Sequence, residues 1–362
     1  MRIPLSAPDI VEADIEAVVE VLRTPRISLG PKLEQFEEVF ARYIGVPHAV
    51  ALSSGTAGLH LGLLALGIGE GDEVILPAFT FIAAANAVLH AHATPVFVDI
   101  DARSLNLDPE KVERAITART RAILAVHTFG VPAEMAPLMV IAEKHGLRVI
   151  EDACEAIGAE YGGQRVGGLA DLGVFAFYPN KPITTGEGGM VTTRDARVAD
   201  TIRALRNQGR RPGDGWLDHS LLGYNFRISE MNCALGISQM RRIDEILARR
   251  AAAAAQYAEG LRDAANVTLP FGGSENGKVS WFVYVIRAEN RDEIAGALAE
   301  RGIGSGKYFA PLHRQPLFAP YVDPNADFSV TEKASAQTLA LPFFTRITAE
   351  QVADVCQSFH AR

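Results

Sequence analysis

A chain of 362 residues that is 48% hydrophobic supplies enough apolar surface for a large buried core, in two domains or in one large domain with a smaller one appended. A formal charge of -8 argues against a nucleic-acid binder, whose footprint is a basic patch, yet leaves an anionic small ligand open because local placement decides that. No apolar run reaches membrane-spanning length, and the opening MRIPLSAPDIVEAD lacks the basic and then hydrophobic pattern of a leader, so the cytoplasm is the expected location. Cys154, Cys233 and Cys356 form no CxxC pair, which suggests neither a disulfide framework nor a zinc site; free thiols and no metal are expected.

Apolar spacing predicts amphipathic helices over 8–23 and 31–44, with Pro31 suited to a first helical turn and TPRISLG as a loop between them. HAVALSSGTAGLHLGLLALG then begins as a buried strand, turns at Ser53-Ser54-Gly55-Thr56, and continues as an apolar helix. Strand, tight polar turn and helix outline an anion site, because free amides at the helix start and the positive end of its dipole converge above the turn. Simple capping by Ser54 or Thr56 would account for the same residues.

The alternation continues through EVILP, a helix over 82–92, PVFVDID, a helix over 109–116, AILAV, a helix over 133–145 and LRVIED. Repeated units of this length predict an α/β fold, a largely parallel sheet covered by helices on both faces, with ligands gathering at the carboxyl ends of the strands. Phe81, His127 and Asp152 fall at such ends. An alanine-rich helix over 243–262 is expected to join a large domain, 1–245, to a small α+β domain, 246–362, that holds the strand VSWFVYVIRA and helices over 291–301 and 348–359.

Residues 173–193, GVFAFYPNKPITTGEGGMVTT, place Lys181 between an apolar run (Val174, Phe175, Phe177, Tyr178) and a glycine-rich turn that leads into Met190-Val191-Thr192-Thr193. An amine in such a connection, shielded from water, can be offered to a pocket as a neutral nucleophile and condense with an aldehyde. Most single lysines are solvated loop residues instead. Asp152, after Val149-Ile150 at the end of a buried strand, needs a cationic or hydrogen-bonded partner there unless it caps a helix or makes a surface ion pair.

NKPITTGEGGM following FAFYP resembles the lysine segment of the DegT/DnrJ/EryC1/StrS sugar aminotransferases, and the resemblance covers nearly the whole chain. SSGTAGLHL, PAFTFIAAANAVL, HTFGVPAEM, VIEDACEAIGAEY and LGYNFRISEMNCALG stand in the family's order. The resemblance implies fold type I, pyridoxal 5'-phosphate as cofactor, L-glutamate as amino donor, a nucleotide-linked keto sugar as acceptor and a homodimer with shared active sites. It implies Lys181 as the amine that holds the aldehyde, Asp152 as the acid at the pyridine nitrogen, Gly55 and Thr56 as the phosphate turn, and Phe81 as the stacking ring. Glu155 would contact the phenolic oxygen, with His127 nearby, while Asn225 and Arg227 in GYNFR would reach the phosphate of the neighbouring subunit. An ion pair with Glu230 is the plainer reading of Arg227. One position departs from the pattern: the family usually has a phosphate-binding serine five residues before the lysine, and this chain has Ala176.

Lys181 also argues against the dehydratases of the family, which carry histidine there. The glutamate in EDACEA looks most like enzymes that make 4-amino sugars such as perosamine, which favours a 4-keto-6-deoxyhexose acceptor over a 3-keto sugar or a keto-cyclitol. A cofactor-binding regulator without turnover is a poor fit to a chain that keeps both Lys181 and Asp152. Arg206, Arg210 and Arg211, between the lysine turn and GYNFR, are candidates for the substrate diphosphate, and Lys307 and His313 in GKYFAPLHR could approach it from the small domain.

Overall fold

The computed structural model of the chain describes residues 2–360 apart from 212 and 216. Two amphipathic helices, α1 (Glu12–Leu22) and α2 (Pro31–Ile44), come first. Pro31 opens α2 where its missing amide costs nothing, and Gly45, at φ 86, closes it in the left-handed conformation that glycine adopts freely. α1 begins later than its apolar spacing suggests: the Asp14 carboxylate accepts the Val11 amide at 3.0 Å, while Asp9 pairs with Arg242 at 3.1 Å outside the helix.

The strand and helix units follow as β1 (His48–Leu52), α3 (Gly55–Ala65), β2 (Glu73–Pro77), α4 (Ala83–His90), β3 (Thr94–Val98), α5 (Pro109–Ala115), β4 (Thr120–Val126), α6 (Met135–His145) and β5 (Arg148–Asp152). A small hairpin of β6 (Glu160–Tyr161) and β7 (Gln164–Arg165) precedes β8 (Leu172–Ala176) and β9 (Gly189–Thr193), which flank the lysine loop. α6 starts two residues after the predicted point because the Ala133 amide is donated to His127 Nδ1 at 3.0 Å.

Seven of these strands form one sheet in the order β1-β9-β8-β5-β4-β2-β3. β9 runs antiparallel to both β1 and β8, and the other pairings are parallel. Consecutive residues of one strand feed opposite cores: Ile123, Val149 and Phe175 join Phe36 and Phe40, whereas Leu124, Ile150 and Val174 join Val50, Leu61 and Val88. A sheet buried on both faces in this way needs the near-continuous apolar strands seen in the sequence. Phe40 meets Phe175 edge to face at 4.9 Å, and burying each such ring stabilises the fold by about 1.5–3 kcal/mol.

Beyond α7 (Ala196–Arg206) and α8 (Glu230–Met240), the long α9 (Ile243–Gly260) leads to β10 (Val267–Thr268), β11 (Gly277–Lys278), β12 (Tyr284–Ala288), α10 (Arg291–Glu300), α11 (Ser329–Gln337), β13 (Thr338–Leu341) and α12 (Ala349–His360). β10, β12 and β13 make an antiparallel sheet of their own. Ile3 bridges to Ile303 and is buried with Tyr257, Tyr284 and Leu341, so the first residues of the chain pack with the last third. We propose a large unit around the seven-stranded sheet and a small unit around the second sheet, with α9 spanning the expected boundary at 245.

Candidate active site

The parallel strands β1, β2, β4, β5 and β8 all end on one edge of the large sheet, and a cavity of about 450 Å³ opens there. Ser54, Gly55, Thr56, Phe81, Val126, Asp152, Cys154, Glu155, Ala176 and Lys181 line it from the large unit. Phe282, Tyr308 and Phe309 line it from the small unit.

Ser54 caps α3, its Oγ accepting the Ala57 amide at 3.1 Å. Among the described residues the Gly55 and Thr56 amides have no acceptor, which leaves them to an occupant of the cavity. Glycine is required at 55 by space: a Cβ there would lie 2.8 Å from both Ala176 Cβ and Cys154 Sγ. Gly189 is required on the other side, where a Cβ would overlap the backbone of Ser54 and Gly55. Helix start, free amides and a turn with no side chain to fill it suit a phosphate group.

The lysine loop is fixed by its own backbone. The Lys181 amide donates to the Tyr178 carbonyl at 2.9 Å, Thr184 Oγ1 donates to the Phe177 carbonyl at 2.9 Å, and Asn232 Nδ2 donates to the carbonyls of Thr185 and Glu187 at 2.6 and 2.9 Å. The Lys181 side chain is only 12% exposed, which removes it from the solvated class. Its Nζ lies 3.6 Å from Glu155 Oε1 and 3.9 Å above the ring centroid of Phe282.

Asp152 ends β5, nearly buried, with Oδ1 accepting the Cys154 amide at 3.1 Å and the carboxylate on the cavity wall. Glu155 accepts the Phe129 amide at 3.0 Å. Burial pushes its carboxyl above the ordinary carboxylate range, against the lowering effect of Lys181 and the Phe129 amide. Phe81 is 59% exposed in spite of its size, and it lines the cavity. The amine, the carboxylates, the anion turn and the ring expected for pyridoxal phosphate therefore converge in one cavity.

Other expected residues stand elsewhere. His127 is buried with Nδ1 accepting the Ala133 amide, so Nε2 carries the proton and donates to Glu151 Oε2 at 3.2 Å; it braces β4 against β5 without lining the cavity. Lys307 pairs with Asp292 at 2.8 Å. His313 stacks on Phe328 and meets Glu332 at 2.7 Å. Neither side chain lines the cavity. Arg206 is unavailable to a diphosphate: its guanidinium is buried against Glu37 and the Ala51 carbonyl. Arg227 donates to Asn207 Oδ1 at 3.1 Å rather than pairing with Glu230, whose carboxylate accepts the Lys32 and Leu33 amides at the start of α2. Asn225 is exposed, and neither it nor Arg227, Arg210 or Arg211 lines the cavity of its own chain.

Sequence reasoning did not pick Phe282, Tyr308, Phe309, Asn180 or the Phe129 amide. In the sequence Phe282 reads as one more apolar residue of a strand, and Tyr308 and Phe309 stand directly after Lys307.

Glu155→Gln gives one test of this electrostatics. Below its raised pKa Glu155 carries a proton and can donate a hydrogen bond; as pH rises through that value it becomes an acceptor only, and a step that needs the donor slows. Glutamine donates without titrating, so Glu155→Gln should retain activity and flatten that limb of the pH profile. Near-complete loss of turnover with cofactor still bound would show that the ionisable acid itself is required.

The sequence pattern of the DegT/DnrJ/EryC1/StrS aminotransferase family matches residues 8–360. The chain is 41% identical over 354 residues to the GDP-perosamine synthase of Caulobacter vibrioides, covering 96% of this chain and 94% of that one. It is 40% identical to the dTDP-3-amino-3,4,6-trideoxy-alpha-D-glucose transaminase of Streptomyces venezuelae, covering 90% and 86%. Among solved structures, S. venezuelae DesV in complex with a ketimine intermediate superposes with a TM-score of 0.91 at 38% identity, covering 95% of this chain and 92% of that one. The PLP form of the putative sugar aminotransferase Spr1654 of Streptococcus pneumoniae gives 0.93 at 30% identity, covering 99% and 97%. With this cavity and these relatives, the chain belongs to the DegT/DnrJ/EryC1/StrS family and is a pyridoxal-phosphate-dependent aminotransferase of fold type I.

Proposed function

We propose that the enzyme moves an amino group from L-glutamate to a nucleoside-diphosphate 4-keto-6-deoxyhexose, in a homodimer whose sites are shared. The observation that carries this reading is the shielded Lys181 amine facing Asp152, Glu155 and the free amides of α3 in one cavity, in a chain so similar to a GDP-perosamine synthase. Bound pyridoxal phosphate supplies an electron sink for the charge that develops at the reacting carbon. Lys181 would hold the aldehyde, Asp152 the pyridine nitrogen, Glu155 the phenolic oxygen, Phe81 the ring face, and Gly55 and Thr56 the phosphate. When not bonded to the cofactor, Lys181 Nζ would take the donor's α-proton as general base and give it back as general acid.

Two observations support the dimer. Ile15, Val19 and Leu22 form an exposed apolar stripe on α1 that continues into Ile27 and Leu29. Leu217 and Leu222, 80% and 89% exposed, precede Asn225 in the segment that follows α7, which suits a surface seated on a second copy. Arg210 and Arg211 lie in that same segment, with the Arg211 amide held by Asp214 at 2.8 Å, and we assign them to the substrate diphosphate.

Arg210→Ala combined with Arg211→Ala should raise the Michaelis constant for the sugar acceptor about 10-fold or more, as expected for lost charge-assisted contacts, and leave the half-reaction with glutamate unchanged. The same assay run on a panel of nucleotide-linked 4-keto and 3-keto sugars and free keto-cyclitols fixes the acceptor. A preference for the 3-keto sugar would follow the S. venezuelae transaminase instead. Turnover of free cyclitols alone would overturn the nucleotide-sugar reading.

A further inference from the structure

We propose that Phe282 is a positioning residue for Lys181: its ring face seats the amine and biases it toward the protonated state whenever that amine is not bonded to the cofactor. This rests on the assignment of Lys181 only for its consequence in turnover. Nζ stands 3.9 Å from the Phe282 centroid, within the range in which an ammonium is drawn to the negative face of a ring. The ring is 2% exposed and the lysine side chain 12%, so water competes little and the attraction is of the stronger, desolvated kind.

The platform is held from behind. Arg250, on α9 and 2% exposed, donates from Nε to the Trp281 carbonyl at 2.9 Å, from Nη2 to the Phe282 carbonyl at 2.6 Å and from Nη1 to Thr345 Oγ1 at 3.1 Å. Burial pulls its pKa down to about 9, which still leaves it charged at neutral pH. Trp281 sits at φ 44, a conformation that bulky residues rarely adopt, and the Arg250 clamp bonds the carbonyls on both sides of the bond that follows it. On the other side, the Gly130 carbonyl accepts the Ser280 amide at 3.1 Å, and the adjacent Phe129 amide holds Glu155. One turn therefore braces both neighbours of the lysine amine.

Those neighbours differ in kind. Glu155 titrates, and Asp152, Cys154 and Tyr308 are the other ionisable groups in electrostatic contact with this cluster. The ring does not titrate. When Glu155 is protonated its charge no longer holds the ammonium, and the Phe282 face remains. The lysine must be both an acceptor and a donor of a proton within one cycle, so a fixed, pH-independent attraction for its charged form sets how the two roles are balanced.

Phenylalanines of increasing fluorination, incorporated at position 282, drain the ring face with little change of shape. In the cofactor-free full chain, the pH dependence of Lys181 acylation by acetic anhydride, read by peptide mass spectrometry, gives the amine pKa. It should fall stepwise along the series, by about one unit for the trifluoro ring. Phe282→Leu should shift it in the same direction and Phe282→Tyr should retain it. In the loaded enzyme the rate of the glutamate half-reaction should change in parallel while KM for glutamate stays within about twofold, since only the lysine is altered. A flat pKa across the fluorinated series overturns the proposal, even if Phe282→Leu fails to fold. Cofactor reduced onto a different lysine would defeat the assignment of Lys181 and leave the apoprotein titration standing.

Discussion

Lys181→Ala should lower turnover by at least about 10³-fold, the range expected when a general base and acid is removed, and should abolish covalent retention of the cofactor. Lys181 is the only lysine on the cavity wall among the described residues, so no second amine stands ready to replace it. The loop itself should survive, because Thr184, Asn232 and the backbone of Tyr178 hold it without the lysine side chain. The loss then belongs to chemistry rather than folding, and near-wild-type circular dichroism beside lost activity is the result to look for. Borohydride reduction of the wild-type enzyme followed by peptide mapping should find the cofactor on Lys181. Another lysine carrying it would refute the assignment.

The second large effect is one of recovery. Chains carrying Asn225→Ala and Arg227→Ala should be inactive alone, as should Lys181→Ala chains, yet mixing the two should restore activity in roughly a quarter of the sites, since half of a randomly paired two-fold population is mixed and each mixed dimer assembles one intact site. The structure motivates this because both GYNFR side chains lie off the cavity of their own chain. It also bears on Ala176: with no hydroxyl there, Arg227 is the guanidinium expected to complete the phosphate cradle from across the interface. Full activity in the Asn225, Arg227 double variant, or in a monomer at assay concentration, would rule out a shared site.

What was legible in the sequence was local. The turn after β1, the acid at the end of β5 and the lysine between β8 and β9 are each specified by a few neighbouring residues, whose strand composition and glycine placement survive as one-dimensional pattern. The sheet was legible for a related reason: strands buried on both faces, such as Glu73–Pro77, are near-continuously apolar, here with only the first residue charged and paired with Arg119. What escaped was set by partners far away in the chain. Phe282 meets Lys181 across a hundred residues, and Phe129 acts through its backbone amide, which side-chain patterns do not reveal. Lys307 and His313 have partners that lie far along the chain or give no pattern of their own, Asp292 and Glu332. Arg206 is the same lesson with Glu37.

β9 lies between β1 and β8, with Gly189 facing Leu52 on one side and Ala176 on the other. The anion turn leaves from the end of β1 and the lysine loop from the end of β8, so the two anchor points are separated by two strand spacings, about 10 Å. That separation is a property of backbone hydrogen bonding and cannot drift with the loops. The sheet thus holds the starts of the two loops that meet at the cavity in a fixed relation, so a change within either loop leaves the other's anchor where it is.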